Sequence, residues 1–172
     1  TLITPDLASA TQHDLLSNLS IVVPVVNNME PQGGSNQRSS YDSWLSGTNK
    51  HLWWYQACSS HGSCSNGTIG PVTSTWPSYE VDATPVRNRV FQWLAFIDGI
   101  EGELYYAIDY CWVYALCGDN SSSNDPWTSV YAFGGNGDGT LIYPGSPARI
   151  GGTTPIPLPS IRLKHIREEM ED

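Results

Sequence analysis

The sequence predicts an α/β fold of β/α units around a parallel sheet. Short apolar runs rich in β-branched and aromatic residues alternate with helical or long-loop stretches. One run, Ser20 to Val26, is apolar on both faces, as a strand covered on both sides must be. At 172 residues the chain is long enough for one domain with a sizeable core.

The elements follow in order. Leu2-Ile3-Thr4 reads as a strand, followed by Pro5 and a short helix over Ser9 to Leu16. In Ser20 to Val26, Pro24 has no N–H for a ladder bond, so an irregular pairing is expected there. Tyr41 to Leu45 belongs to the next helix. His51 to Ala57 is the third strand and Glu103 to Asp109 the fourth. Between them lie a Gly/Ser/Pro-rich excursion, Cys58 to Tyr79, and a helix over Thr84 to Ile97. That helix opens with Pro85 in its first turn and carries Val86, Val90, Phe91, Leu94 and Ile97 at helical spacing. A second excursion runs from Tyr110 to Gly139. Asn136 to Gly145 has hairpin-type turn residues ahead of a short apolar strand. After a Pro/Gly linker, Ser160 is the N-cap of a final amphipathic helix, Ile161 to Asp172, with Ile161, Leu163, Ile166 and Met170 as its apolar members. The long loops follow the third and fourth strands, at the strand C-terminal ends where β/α barrels build their active sites.

Charge and composition narrow the partners. With 8 Lys+Arg against 17 Asp+Glu and a net charge of -9, the chain lacks the cations that neutralise phosphates. Nucleic acid and anionic membranes are therefore not expected partners. There is no apolar run of about 18 residues, so no membrane-spanning helix is expected. The first residue is Thr rather than Met, as in a mature or cut product. Only 15% of residues are charged, whereas Gly (16), Pro (12), Trp (7) and Tyr (9) are plentiful, which suits a loop-rich, aromatic-lined secreted domain. The four cysteines fall in two local pairs, Cys58 with Cys64 and Cys111 with Cys117, which read as disulfides in an extracellular, secreted or lysosome-like compartment. Asn18, Asn66 and Asn120 each open a glycosylation sequon.

Aromatic residues carry the clearest functional signal. Trp54, Tyr55, Tyr106, Trp112 and Trp127 cluster near the ends of the last two strands and their loops. Flat aromatic faces suit the apolar C–H faces of sugar rings, so a carbohydrate partner is expected, with Asn28 and Asp109 supplying polar contacts. Successive residues of a strand point to opposite faces, so part of this set must instead fill the core. Glycoside hydrolysis needs carboxylates across the scissile bond. Asp109 ends the fourth strand and Glu30 follows the second, so both are catalytic candidates. Glu101 and Glu103 fall at the start of a strand, on the stability face of a barrel. No cofactor or metal is expected. Cys58-x-x-His61-x-x-Cys64 lacks a fourth ligand. The Asn136-x-Asp138-x-Thr140 run departs from a calcium loop, with Leu141 where Gly belongs and Pro147 where Glu belongs. No phosphate loop, dinucleotide fingerprint or nucleophile elbow occurs.

Several motifs occur in a particular order: Ile3-Thr4-Pro5-Asp6-Leu7, Val22-Val23-Pro24-Val25-Val26-Asn27-Asn28, Leu52-Trp53-Trp54-Tyr55 and Arg87 to Trp93. They are followed by Gly102 to Trp112, Asp125-Pro126-Trp127, Gly137 to Gly145 and Ser160 to Asp172. This order resembles the C-terminal half of the catalytic domain of glycoside hydrolase family 123 and its relatives, over nearly the whole chain. The stretches Gly137-Asp138-Gly139-x-Leu141-x-Tyr143-Pro144-Gly145 and Ser160-Ile161-Arg162-Leu163 are its most specific parts. The resemblance implies that residues 1–172 are a single partial domain, the C-terminal half of a (β/α)8 barrel. It further implies hydrolysis of terminal β-linked N-acetylgalactosamine with retention. The substrate's acetamido group attacks, and an adjacent Asp-Glu pair provides orientation and acid catalysis. No Asp-Glu dipeptide occurs in this chain. The acid pair is then expected outside it, in an N-terminal half of the same barrel, and a self-associated copy is the other expected partner. The alternative is a non-catalytic extracellular glycan-binding or structural glycoprotein that kept the fold.

Overall fold

A computed structural model describes residues 1–4, 6–30, 34–57, 77–114, 125–132 and 135–171. Its elements are β1 (Leu2–Ile3), α1 (Leu7–Gln12), β2 (Ile21–Val22), α2 (Val26–Met29), α3 (Asp42–Leu45) and β3 (His51–Gln56), then α4 (Pro85–Ile97) and β4 (Gly102–Tyr105). They continue with α5 (Tyr110–Val113), β5 (Tyr131–Ala132), β6 (Gly135–Asn136), β7 (Ile142–Gly145), α6 (Pro147–Ile150), β8 (Ile156–Pro159) and α7 (Ile161–Glu171). The fold is α/β. β1 to β4 form a four-stranded sheet in the order β1-β2-β3-β4, every neighbour parallel. The helices that connect these strands pack on one face, where residues of α1, α3 and α4 join Val22, Leu52 and Trp54 in one core.

Local chemistry sets the boundaries. Asp6 caps α1 by accepting from the Ser9 N–H at 2.7 Å, so the helix begins at Leu7 rather than at Ser9. β2 stops at Val22 ahead of Pro24, and pairing resumes only as a single bridge between Val25 and Tyr55. Thr84 caps α4 with Pro85 in its first turn. Ser160 caps α7, its Oγ accepting from the Leu163 N–H at 3.1 Å. The segment read as a Pro/Gly linker contains β8, which pairs antiparallel with β7. Pro157 and Pro159 are tolerated because this is a two-stranded ribbon with free edges.

The core lies between the sheet and its helices. Val22, Leu52 and Trp54 meet Phe91 and Ala95 of α4, Ala10 of α1 and Trp44 of α3. Trp54 and Phe91 have ring centroids 4.8 Å apart. The opposite sheet face is only partly covered: His51, Trp53 and Tyr55 are half-buried there, while Leu2, Leu104 and Tyr106 are exposed.

Two helices keep only part of the expected apolar face: Phe91 and Leu94 of α4 and Leu163 and Ile166 of α7 pack on the core. α4 buries Asn88, Phe91 and Ala95, while Val86 and Ile97 are exposed. α7 buries Arg162 and Glu169 and exposes Ile161 and Met170. The reason is Arg162. Its guanidinium donates from Nη1 to the carbonyls of Tyr79 (2.6 Å) and Gly137 (2.8 Å), and from Nη2 to that of Thr140. Three buried carbonyls thereby gain partners, and those bonds fix the helix's rotation against the apolar tendency of Ile161. Gly137 adopts φ 92°, and a Cβ there would come within 2.7 Å of the Arg162 guanidinium, so only glycine fits.

Replacing Arg162 with Ala leaves three buried carbonyls short of a donor. We expect urea denaturation to show a loss on the order of 3–5 kcal/mol, with Arg162→Lys falling between the two because a single ammonium cannot span all three acceptors.

Candidate functional site

The C-terminal ends of β3 and β4 converge on one patch. Along β3 the buried residues are Leu52, Trp54 and Gln56, under α4, while His51, Trp53 and Tyr55 are half-buried on the other face. Trp54 is therefore a core residue, fully buried, not the ligand-facing aromatic expected from the sequence. Tyr55 has the open-face parity. β4 pairs Tyr55 with Leu104 and Gln56 with Tyr105, so Tyr106 leaves the sheet at the same end. Tyr106, Tyr110 and Tyr114 form a ladder with centroids 5.0 and 4.7 Å apart, and Tyr106 is 48% exposed. Asp109, between Tyr106 and Tyr110 in sequence, is half-buried at the start of α5.

A buried turn backs this patch. The Tyr105 hydroxyl donates to Asp138 Oδ1 at 3.1 Å and accepts from the Gly139 N–H at 3.2 Å. The Leu141 N–H bonds the Ile108 carbonyl at 2.8 Å, and the Cys111 N–H bonds that of Gly139 at 3.0 Å. Gly139 has φ 66° and approaches Tyr110 Cβ, so a side chain there would collide with α5. Burial pushes the Tyr55 hydroxyl pKa up, reinforced by Asp138 and then Tyr106.

The two tryptophans of the long loops are tied to β7. Trp112 Nε1 donates to the Ile142 carbonyl at 2.9 Å and Trp127 Nε1 to that of Pro144 at 3.0 Å. These indoles anchor the β7–β8 ribbon. Trp112 is half-buried, whereas Trp127 leans on Tyr143 at 5.1 Å and stays 42% exposed.

The second carboxylate candidate sits elsewhere. Glu30 contacts Asn36, which also donates to Asp98 at 3.1 Å. Asp98 ends α4 ahead of β4, so Glu30 belongs to the N-terminal side of β4 and Asp109 to its C-terminal side. Burial and the Asp98 charge raise the Glu30 pKa. Asn28 is exposed on α2. Asn18 is exposed in a short 3-10 turn, Leu16–Asn18. Asn66, Asn120, Cys58, Cys64, Cys117 and His61 lie outside the described residues. Cys111 is buried and disulfide-bonded. Among the described residues no group of three or more His, Cys, Asp or Glu could hold a metal ion, and no helix is long and apolar enough to cross a membrane.

Two further acids stand out on the helix side of the sheet, Glu80, which is buried, and Glu103, which is half-buried near the start of β4. Glu80 is pushed up to about 8, by burial first and by Asp138 second, with Arg162 and Arg87 opposing. Glu103 is pushed up to about 7 by burial, although Tyr79 Oη donates to its Oε2 at 2.8 Å and Gln92 Nε2 donates to the same atom. Neither stood out in the sequence as a site residue. Glu80 has no periodic or motif context, and Glu103 reads as an ordinary strand-start acid.

Comparison with protein-family models and with curated proteins finds no match.

Because both acids bind protons more tightly folded than unfolded, their contribution to stability is full below pH 4.5 and is lost as pH rises towards 7 for Glu103 and 8 for Glu80. We expect urea midpoints to fall over that window. Glu80→Gln should remove on the order of 2 kcal/mol of the decline, read as a flatter pH profile.

Proposed function

We propose that the chain is the C-terminal half of a (β/α)8 glycoside-hydrolase-type barrel. It supplies the sugar-binding side of a site for terminal β-linked N-acetylgalactosamine, with the acid pair outside this chain. The observation that carries this reading is the convergence of Tyr55, Tyr106 and Tyr110, with Asp109 one residue before Tyr110, at the C-terminal ends of parallel strands that follow one another in sequential order. Barrel enzymes bind substrate at that end. The exposed Tyr106 ring offers a stacking face, and Asp109 would accept from a sugar hydroxyl. Tyr55 keeps its proton through the neutral range, because its surroundings raise an already high pKa, so it remains a hydrogen-bond donor. The acetamido group of the substrate would act as nucleophile, oriented and protonated by carboxyl groups of the completing half. A secreted, disulfide-bonded glycoprotein is the matching setting, with Asn18 at an exposed position.

The second reading is a non-catalytic extracellular glycan-binding or structural protein. The lack of any Asp-Glu dipeptide in the chain favours it. Under that reading, sugar binds and no completed assembly turns it over.

A titration with methyl β-N-acetylgalactosaminide, followed by amide NMR, tests the shared part. We expect shifts at Tyr55, Tyr106, Asp109 and Tyr110, and an affinity about tenfold lower for Tyr106→Ala. A chromogenic β-N-acetylgalactosaminide should stay intact with the chain alone. Absence of shifts at millimolar sugar would sink the glycan reading, and turnover by the chain alone would sink the assignment of the acid pair elsewhere.

A further inference from the structure

Among the described residues β4 ends the four-stranded order and pairs only with β3. In a parallel strand, successive residues turn their N–H and C=O groups to alternate sides. The Glu101 N–H bonds the Leu52 carbonyl at 2.9 Å, so Gly102 and Leu104 turn theirs to the free edge. Such an edge is a template for another strand. Beside it, between α4 and α7, runs a cavity of about 1020 Å³. Its apolar walls include Trp93, Phe96 and Ile97 of α4 and Leu163, Ile166 and Met170 of α7. Phe96 is 86% exposed and Met170 73%, which is costly surface to leave in water.

The cavity also has one electrostatic demand. Glu103 lines it, and its Oε2 takes both the Tyr79 and Gln92 donors. Its Oε1 is buried with no hydrogen-bond partner among the described residues. Burial raises the proton affinity of this carboxyl, with the Tyr79 and Gln92 hydrogen bonds opposing.

We propose that this groove is a strand-addition site. It receives an extended segment of a separate polypeptide, apolar on the groove side, whose Lys or Arg reaches Glu103. Three features select a strand over other occupants. The free backbone edge asks for main-chain hydrogen bonds, the apolar walls for alternating side chains, and Glu103 Oε1 for a cationic donor. A second copy of this chain fits poorly, because edge-to-edge pairing would bring Glu101 and Glu103 of both copies together in a protein of net charge -9. The inference does not rest on the glycan reading. Glu103 lies on the helix side of the sheet with Trp54, whereas Tyr55 has the opposite parity.

The probe is a capped synthetic heptapeptide of alternating Val and Thr with a central Lys, titrated into the full chain and followed by amide NMR. Two control peptides carry Glu in place of Lys, or N-methyl groups on alternate amides. We expect shifts at Gly102 and Leu104, about tenfold weaker binding of the Glu peptide, and loss of binding on N-methylation. The Glu103→Gln chain should bind the Lys and Glu peptides alike. The peptide charge swap on the unaltered chain stands by itself if that variant fails to fold. Equal affinity for the Lys and Glu peptides, undiminished binding of the N-methylated one, no binding of any peptide at millimolar concentration, or concentration-dependent pairing of the chain through β4 would each overturn the proposal.

Discussion

The Arg162 guanidinium is the contact on which the rest of the structure depends. It sits in the core and donates to three carbonyls, one of them 83 residues away in sequence. A buried cation is tolerable only when its donors are used, and here they are spent on the chain before α4 and the turn before β7. The arginine ties both segments to α7, alongside the Val81 N–H bond to the Asn136 carbonyl and the Ser160 N–H bond to the Leu141 carbonyl. The same turn carries Asp138 and Gly139 to Tyr105, and from there its influence reaches Tyr55 and the Tyr106 ladder. The candidate floor is thus supported from below by a buried charge bonded to three backbone carbonyls.

The sheet has two unlike faces, and the difference organises what the molecule offers. Trp54, Gln56, Glu103 and Tyr105 face the helices, where Phe91 and Tyr79 fill the space between them. Leu2, Leu104 and Tyr106 stay exposed on the other side. Parallel sheets normally have both faces covered. The open face and the free β4 edge are therefore the surfaces where further protein or a sugar would find apolar area. The two indoles that bond β7 carbonyls show another use of aromatic residues, as pegs for a short ribbon.

Much of the fold was legible in the residues. Thr84 with Pro85, Ser160 and the β-branched runs mark their elements by local chemistry that needs no tertiary partner. Pro24 marks where β2 stops for the same reason. The parity of β3 was not legible, because alternation says only that Trp54 and Tyr55 oppose each other. Which of them is buried is decided by Phe91, on a helix far along the chain. β8 was hidden by its prolines, which match a linker until β7 supplies an antiparallel neighbour. Of the candidate site, Tyr106 and Asp109 were readable from their place at a strand end. Glu80, Asp138 and Arg162 were not, since their meaning lies in contacts across long sequence separations. The hydrophobic pattern of α7 holds only in part: Leu163 and Ile166 pack against the core, whereas Ile161 and Met170 stay exposed and the Arg162 guanidinium, with its three hydrogen bonds, is buried instead.

If the floor is held by Arg162 and the buried turn before any ligand arrives, its amides must exchange slowly in the free protein. Residue-resolved hydrogen exchange tests this at Cys111, Gly139, Leu141 and Ile142, whose N–H groups bond Gly139, Tyr105 and Ile108. We expect these four amides to exchange with the protection of the β3 amides, through global unfolding alone. Exchange at the rate of open loops, with β3 still protected, would contradict a preformed floor and with it the structural basis of the proposed site.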